Sequence, residues 1–144
     1  MSAKENRKKD IQEWLKKENE IVKLEFILDL RLPSAYRDFL IKFGGGYSMG
    51  IPIAGVPNIY GLPVNSEPTS VLGATLFLRI KRKDLPPDFV VIKFVNREYA
   101  LCLDLRKKPE KDAPLVKIHL FGNEPPEKLG QSFSEYLKNI TSLL

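Results

Sequence analysis

Cys102, Asp104 and His119 are the residue types from which a nucleophile, its base and an orienting acid are assembled. In the run YALCLDL (Tyr99–Leu105), strand alternation places Cys102 and Asp104 on one face and Leu101 and Leu103 on the other. His119 belongs to a later apolar run, where it shares a face with Leu115 and Lys117. Nothing in the wording makes those two runs neighbours. A lone cysteine among apolar residues is ordinary core filling, and no catalytic set is expected from these residues. One Cys and one His also supply too few nitrogen and sulfur ligands for a metal site.

Other chemistry fares similarly. The carboxylates Asp29, Glu67, Asp104, Glu124 and Glu127 are scattered, whereas acid–base work needs two within a few ångströms in a cleft. Gly44, Gly45 and Gly46 invite a phosphate-loop reading. Such a loop leads into a helix and is followed by Lys-Ser/Thr; here the glycines follow a helix and that pair is missing from GGGYSMG. Base stacking would need aromatics interleaved with basic residues on one sheet face, and Phe89, Phe94, Tyr99 and Phe121 carry no such motif. No enzyme activity and no cofactor is expected.

The elements around these residues follow from period and punctuation. Ser2 and Glu5 have capping-box spacing, and Ile11, Trp14, Leu15, Glu18, Ile21 and Val22 follow with helical period, predicting a first helix over residues 3–20. In LPSAYRDFLIKFGGG, Pro33 suits a first helical position and Tyr36, Phe39, Leu40 and Phe43 form one apolar stripe. Gly44 then suits the helix stop. Ile51–Ile53 and Ile59–Tyr60 read as brief strands between turns. Ser70 is placed to cap a helix over residues 71–82, a reading that Gly73 and Thr75 weaken. Phe89–Val95, Tyr99–Leu105 and Leu115–Phe121 read as strands, with a turn at Asn96–Glu98 and a longer connection over residues 106–114. Ser132 and Glu135 form a second capping box, ahead of a helix marked by Phe133, Tyr136, Leu137, Ile140, Leu143 and Leu144. That order predicts an α+β fold in a single domain over residues 1–144.

The bulk numbers suit this reading. A chain of 144 residues, 43% hydrophobic and 28% charged, can bury a core without staples. It has no apolar run near membrane-spanning length and no apolar stretch after its basic N-terminus, so no membrane and a cytoplasmic location are expected. The net charge of +5 is concentrated in RIKRK (Arg79–Lys83) and RKKPEK (Arg106–Lys111). Such runs can steer nucleic acid, but a solvated helix end or hairpin loop is the plainer expectation, and nucleic acid is not the expected partner.

The succession IQEWL, LPSAYRDFLIKFGGG, IYGLP, FVVIKFVNREYALCLDL, APLVKIHLF and SFSEYLKNI resembles the SUKH superfamily. That group includes the yeast cell-wall synthesis regulator, the bacterial Syd protein and many bacterial immunity proteins. The resemblance implies helices packed on a curved, mostly antiparallel sheet and no enzyme activity. It further implies an antitoxin role, with a cognate toxin protein, polymorphic or LXG-type and often a nuclease, as partner. Immunity proteins for nucleases are often acidic, and this chain is basic. The residues for which core packing gives the thinnest account are Tyr47, Tyr60, Tyr99, His119 and Glu124, and these are the partner-binding candidates. The alternative is a nucleic-acid-binding or regulatory scaffold module using residues 79–83 and 106–111. Oligomeric state is left open.

Overall fold

The computed structural model describes residues 3–43, 47–48, 51–52 and 70–141. The element order is α1 (Ala3–Leu28), α2 (Ser34–Phe43), β1 (Tyr47–Ser48), β2 (Ile51–Pro52), α3 (Val71–Lys81), β3 (Phe89–Val95), β4 (Tyr99–Asp104), β5 (Pro114–His119), β6 (Glu127–Ser132) and α4 (Phe133–Thr141). β3, β4, β5 and β6 form one antiparallel sheet in that order, and β1 pairs with β2. This is an α+β architecture, as the sequence predicts. Gly44–Gly46, Ile59–Tyr60, Ser2, Leu143 and Leu144 lie outside the described residues.

Helix α1 runs eight residues beyond the expected Glu20, to Leu28. The stop there is a hydrogen-bonded one: Leu30 N–H donates to the Glu25 carbonyl and Asp29 N–H to that of Phe26, with Asp29 at φ 54°. That is the left-handed closing pattern usually given to glycine, and aspartate is among the few other residues that tolerate it. The expected single apolar stripe is also corrected. Of the residues assigned to it only Ile21 is buried; it joins Leu24 and Leu28 against the core, while Ile11, Trp14, Leu15 and Val22 are exposed.

Helix α2 begins at Ser34, so Pro33 precedes the first turn and lends its carbonyl to Tyr36 and Arg37 N–H. Its first free N–H groups, on Ser34 and Ala35, donate to the carbonyls of Glu110 and Lys111. The stripe is as expected where described: Tyr36, Phe39 and Leu40 are buried. Tyr36 and Phe39 meet Phe133 of α4 edge-on, with ring centroids 5.1 and 5.6 Å away. Arg37 ties α2 to α1 through Glu25 (2.6 Å) and Glu18 (3.4 Å). The Tyr36 hydroxyl is fully buried with no partner among the described residues, and burial pushes its ionisation far above the usual phenol range.

The sheet separates two cores. Leu101, Leu103 and Leu115 face α1, α2 and α4, while Ala100, Cys102, Val116 and Ile118 face the other way, with Ala74 and Leu78 of α3. Helix α3 forms despite Gly73 and Thr75, because both are put to use. Gly73 N–H donates to the Ser70 cap, and the Thr75 hydroxyl accepts from Val91 N–H (3.0 Å), occupying backbone on edge strand β3. A bulge between Val91 and Lys93 returns Phe94 to the α3 side. Three strand boundaries move, the end of β4 to Asp104 and the ends of β5 to Pro114 and His119, and β6 is an added strand, built from the polar run EKLGQS with no apolar signal to announce it. The capping box at α4 is formed, with Glu135 N–H donating to Ser132 Oγ at 3.2 Å.

Candidate functional site

The run RIKRK ends α3, and its Arg82 is buried rather than solvated, with 2% of its surface exposed. The expectation of a solvated helix end is therefore corrected at this residue. Arg82 Nε and Nη2 donate to the two carboxylate oxygens of Asp84, each at 2.9 Å. Nη1 donates to the His119 carbonyl (2.7 Å) and Nη2 to that of Glu124 (2.8 Å). A planar guanidinium is needed for this fork; lysine could not reproduce it. The hydrogen bond to Asp84 raises the Arg82 pKa against the opposing effect of burial, and the same bond holds Asp84 below the usual carboxylate range. The result is that β5 and the segment following it are pinned to the end of α3.

The pinned segment forms a corner. It turns through Gly122, whose φ of 86° excludes most side chains. On one side, Glu124 Oε2 returns to within 3.3 Å of His119 Nε2, a contact that is an ion pair when the imidazole is protonated. His119 sits opposite Tyr99 across the β4–β5 ladder, with ring centroids 6.4 Å apart, and the Lys117 ammonium lies 4.1 Å above the Tyr99 ring. On the other side, Phe121 is 67% exposed, and Lys81 Nζ lies 5.5 Å from its ring and 6.0 Å from that of Phe77. Phe77 and Ile80 are exposed beside it, and Phe77 meets Phe94 edge-on at 5.7 Å.

Three of the candidates, Tyr99, His119 and Glu124, are thus brought together. Tyr47 lies in β1, with its side chain outside what is described, and Tyr60 lies outside the described residues. Phe77, Ile80 and Phe121 are not among the partner-binding candidates read from sequence, because Phe121 reads as strand core and Phe77 and Ile80 as part of an apolar helix, and Lys81 enters there only within the basic run 79–83. Their outward position depends on where β5 ends and how α3 rolls onto β3.

The geometry separates the residues of a cysteine–histidine mechanism. β4 and β5 are neighbours, but Cys102 pairs with Val116 and faces α3, whereas His119 pairs with Tyr99 on the opposite face. Burial, together with the charge of Asp104, pushes the Cys102 thiol well above its ordinary value. Among the described residues no group of His, Cys, Asp and Glu is arranged to hold a metal ion. A shallow cleft of about 200 Å³ beside Leu78 and Phe89 is edged by Arg79 and Arg82. Arg79 Nη2 is committed to the carbonyls of Leu28 (2.8 Å) and Pro87 (2.9 Å).

The second basic run lies in the β4–β5 connection. Arg106 closes on Asp104 (2.8 Å) and lies 5.1 Å above the Phe89 ring. Burial raises the Asp104 pKa, but hydrogen bonds from Arg106 outweigh it and leave the carboxyl below its usual range. Lys107, Lys108 and Lys111 are exposed. No helix among the described residues is long and apolar enough to cross a membrane.

No curated protein matches the chain. The family model described as SMI1 / KNR4 family (SUKH-1) matches residues 17–139, a span that takes in α2, α3, the whole sheet and most of α4. With that match over an antiparallel sheet carrying helices on both faces, the chain belongs to the SMI1 / KNR4 family (SUKH-1).

Proposed function

We propose that this protein is a non-enzymatic immunity protein that binds and neutralises a cognate bacterial toxin in the cytoplasm of the producing cell. Family membership over residues 17–139 carries the reading. The corner supplies a surface suited to it. Tyr99 and Phe121 offer aromatic rings of the kind that anchor interfaces, with His119, Glu124 and Lys81 as polar groups beside them. Arg82 fixes the corner before any partner arrives, so little ordering entropy opposes binding. The buried Cys102 thiol, facing away from His119, argues against a catalytic role.

The toxin in this proposal is nuclease-type, polymorphic or LXG-type. A net charge of +5 directs the contact to an acidic patch or an exosite rather than into a phosphate-binding cleft. Co-expression with the cognate toxin-like domain, sought among neighbouring genes, should restore growth, and the two proteins should co-purify. Failure of rescue and of co-purification with every neighbouring toxin-like gene would overturn the proposal. The nucleic-acid alternative loses much of its footing, since Arg79, Arg82 and Arg106 spend their guanidinium groups within the fold.

A further inference from the structure

Helix α1 carries a second apolar stripe that is not covered by the described residues. Ile11, Leu15, Val22 and Phe26 are 58%, 49%, 56% and 85% exposed. At 100° per residue they fall within an arc of about 60°, centred about 140° away from the buried Ile21, Leu24 and Leu28. The helix thus has two apolar faces, only one of them covered among the described residues. The outer stripe extends over about 22 Å. Ile11 and Leu15 precede residue 17, where the family match begins, so half of the stripe lies ahead of the family's shared core.

The spacing of the stripe names its occupant. Steps of four, seven and four residues read the same in both directions. An antiparallel copy of α1 therefore sets Ile11 against Phe26 and Leu15 against Val22, and the two-fold axis passes between Glu18 and Asn19. Charge agrees with this register, because it brings Lys8 opposite Asp29, both exposed, on each side of the axis. More broadly, the exposed Arg7 and Lys8 at one end approach the end of the partner helix that holds the exposed Asp29. A parallel copy would stack these basic residues on one another. A two-fold contact must be complementary to itself, and this stripe is.

We propose that α1 is the interface of a homodimer, formed by antiparallel pairing of the Ile11–Leu15–Val22–Phe26 stripe with its copy. The four side chains from each copy would bury on the order of 1,000 Å², just below the standard interface size of about 1,200–2,000 Å², so the dimer is a weak one in the micromolar range. The stripe lies on α1 and not at the corner, so dimerisation and partner binding are separable.

Sedimentation equilibrium of the full chain tests this. The average mass should rise from 16.4 kDa towards twice that value as concentration increases from about 1 to 300 µM. Phe26→Asp, and separately Val22→Glu, should weaken association at least tenfold with circular dichroism and melting unchanged, since both positions are exposed. Orientation is read by mixing the Ile11→Cys and Phe26→Cys variants under mild oxidation, where the antiparallel register predicts the mixed disulfide over either self-pair. A monomer throughout the range overturns the proposal, including one in which the stripe proves necessary for toxin binding instead. A dimer insensitive to both variants, or self-paired Ile11→Cys disulfides, overturns it equally.

Discussion

The two basic runs are nearly alike as strings, yet they serve the fold in opposite ways. In RIKRK the arginine side chains are structural: Arg82 is buried and forks onto Asp84 and two carbonyls, and Arg79 binds two more. In RKKPEK the backbone is structural. The Glu110 and Lys111 carbonyls cap α2, and farther along the same connection the Ala113 carbonyl and Asp112 carboxylate receive the first N–H groups of α4. Its lysine side chains are left in water. Charge density alone does not say whether a run meets a partner. What decides it is whether the cationic heads find acceptors inside the fold, and a helix end beside a sheet corner supplies them for both arginines where the outlying connection does so for Arg106 alone.

Substitution at Arg82 should break this contrast most severely. Arg82→Ala strips partners from Asp84 and from the His119 and Glu124 carbonyls, and should cost about 3 kcal/mol or more, lowering the melting temperature by roughly 10 °C. Arg82→Lys should recover only part of that, since an ammonium cannot form the fork. A denaturation series on these variants checks both. Arg79→Ala should cost less, about 1 kcal/mol, because two carbonyl contacts are lost from a half-buried group whose Nε has no partner among the described residues. Arg106→Ala should cost below about 1 kcal/mol, as expected of an exposed ion pair. Replacing Lys107, Lys108 and Lys111 together with Gln should leave the melting temperature almost unchanged. A large loss there would mean that the lysine heads, not the backbone, hold the connection.

Acid sharpens the same comparison. Asp84 and Asp104 are both held below their usual range by arginines two residues away. A depressed folded-state pKa stabilises above the unfolded value and loses that contribution as pH falls below it. Stability should therefore decline below about pH 3.8, as both carboxylates take up protons. The decline should be shallower in Asp84→Asn. Away from the two runs, Tyr36→Phe removes a buried hydroxyl without a described partner and should be neutral or stabilising by up to about 1 kcal/mol.

The sequence was readable where a local pattern had a local consequence. The Ser70 cap, the capping box at Ser132 and Glu135, and the three apolar strands all follow from near neighbours in the chain. β6 was not readable, because EKLGQS gains strand structure from pairing with β5 and not from its own preference. Helix α1 misled by interleaving two apolar faces, so that one 3.6-residue period described neither. For the candidate site, Tyr99, His119 and Glu124 were found as residues poorly explained by packing. Their union, and the addition of Phe121 and Lys81, required knowing that the chain turns at Gly122 and that Arg82 holds it there. The separation of R and D by one residue at Arg82-Lys83-Asp84 was the available signal for that clamp.

The central claim is that the corner pinned by Arg82 is a protein-binding surface. The most direct measurement is calorimetric titration of a toxin-like domain from a neighbouring gene, chosen by growth rescue and purified, with the wild-type protein and with Phe121→Asp/Lys81→Glu. The account predicts tight binding by the wild type and a loss of at least a hundredfold in the double variant, whose exposed positions leave melting unchanged. Equal affinity for the folded double variant would contradict it.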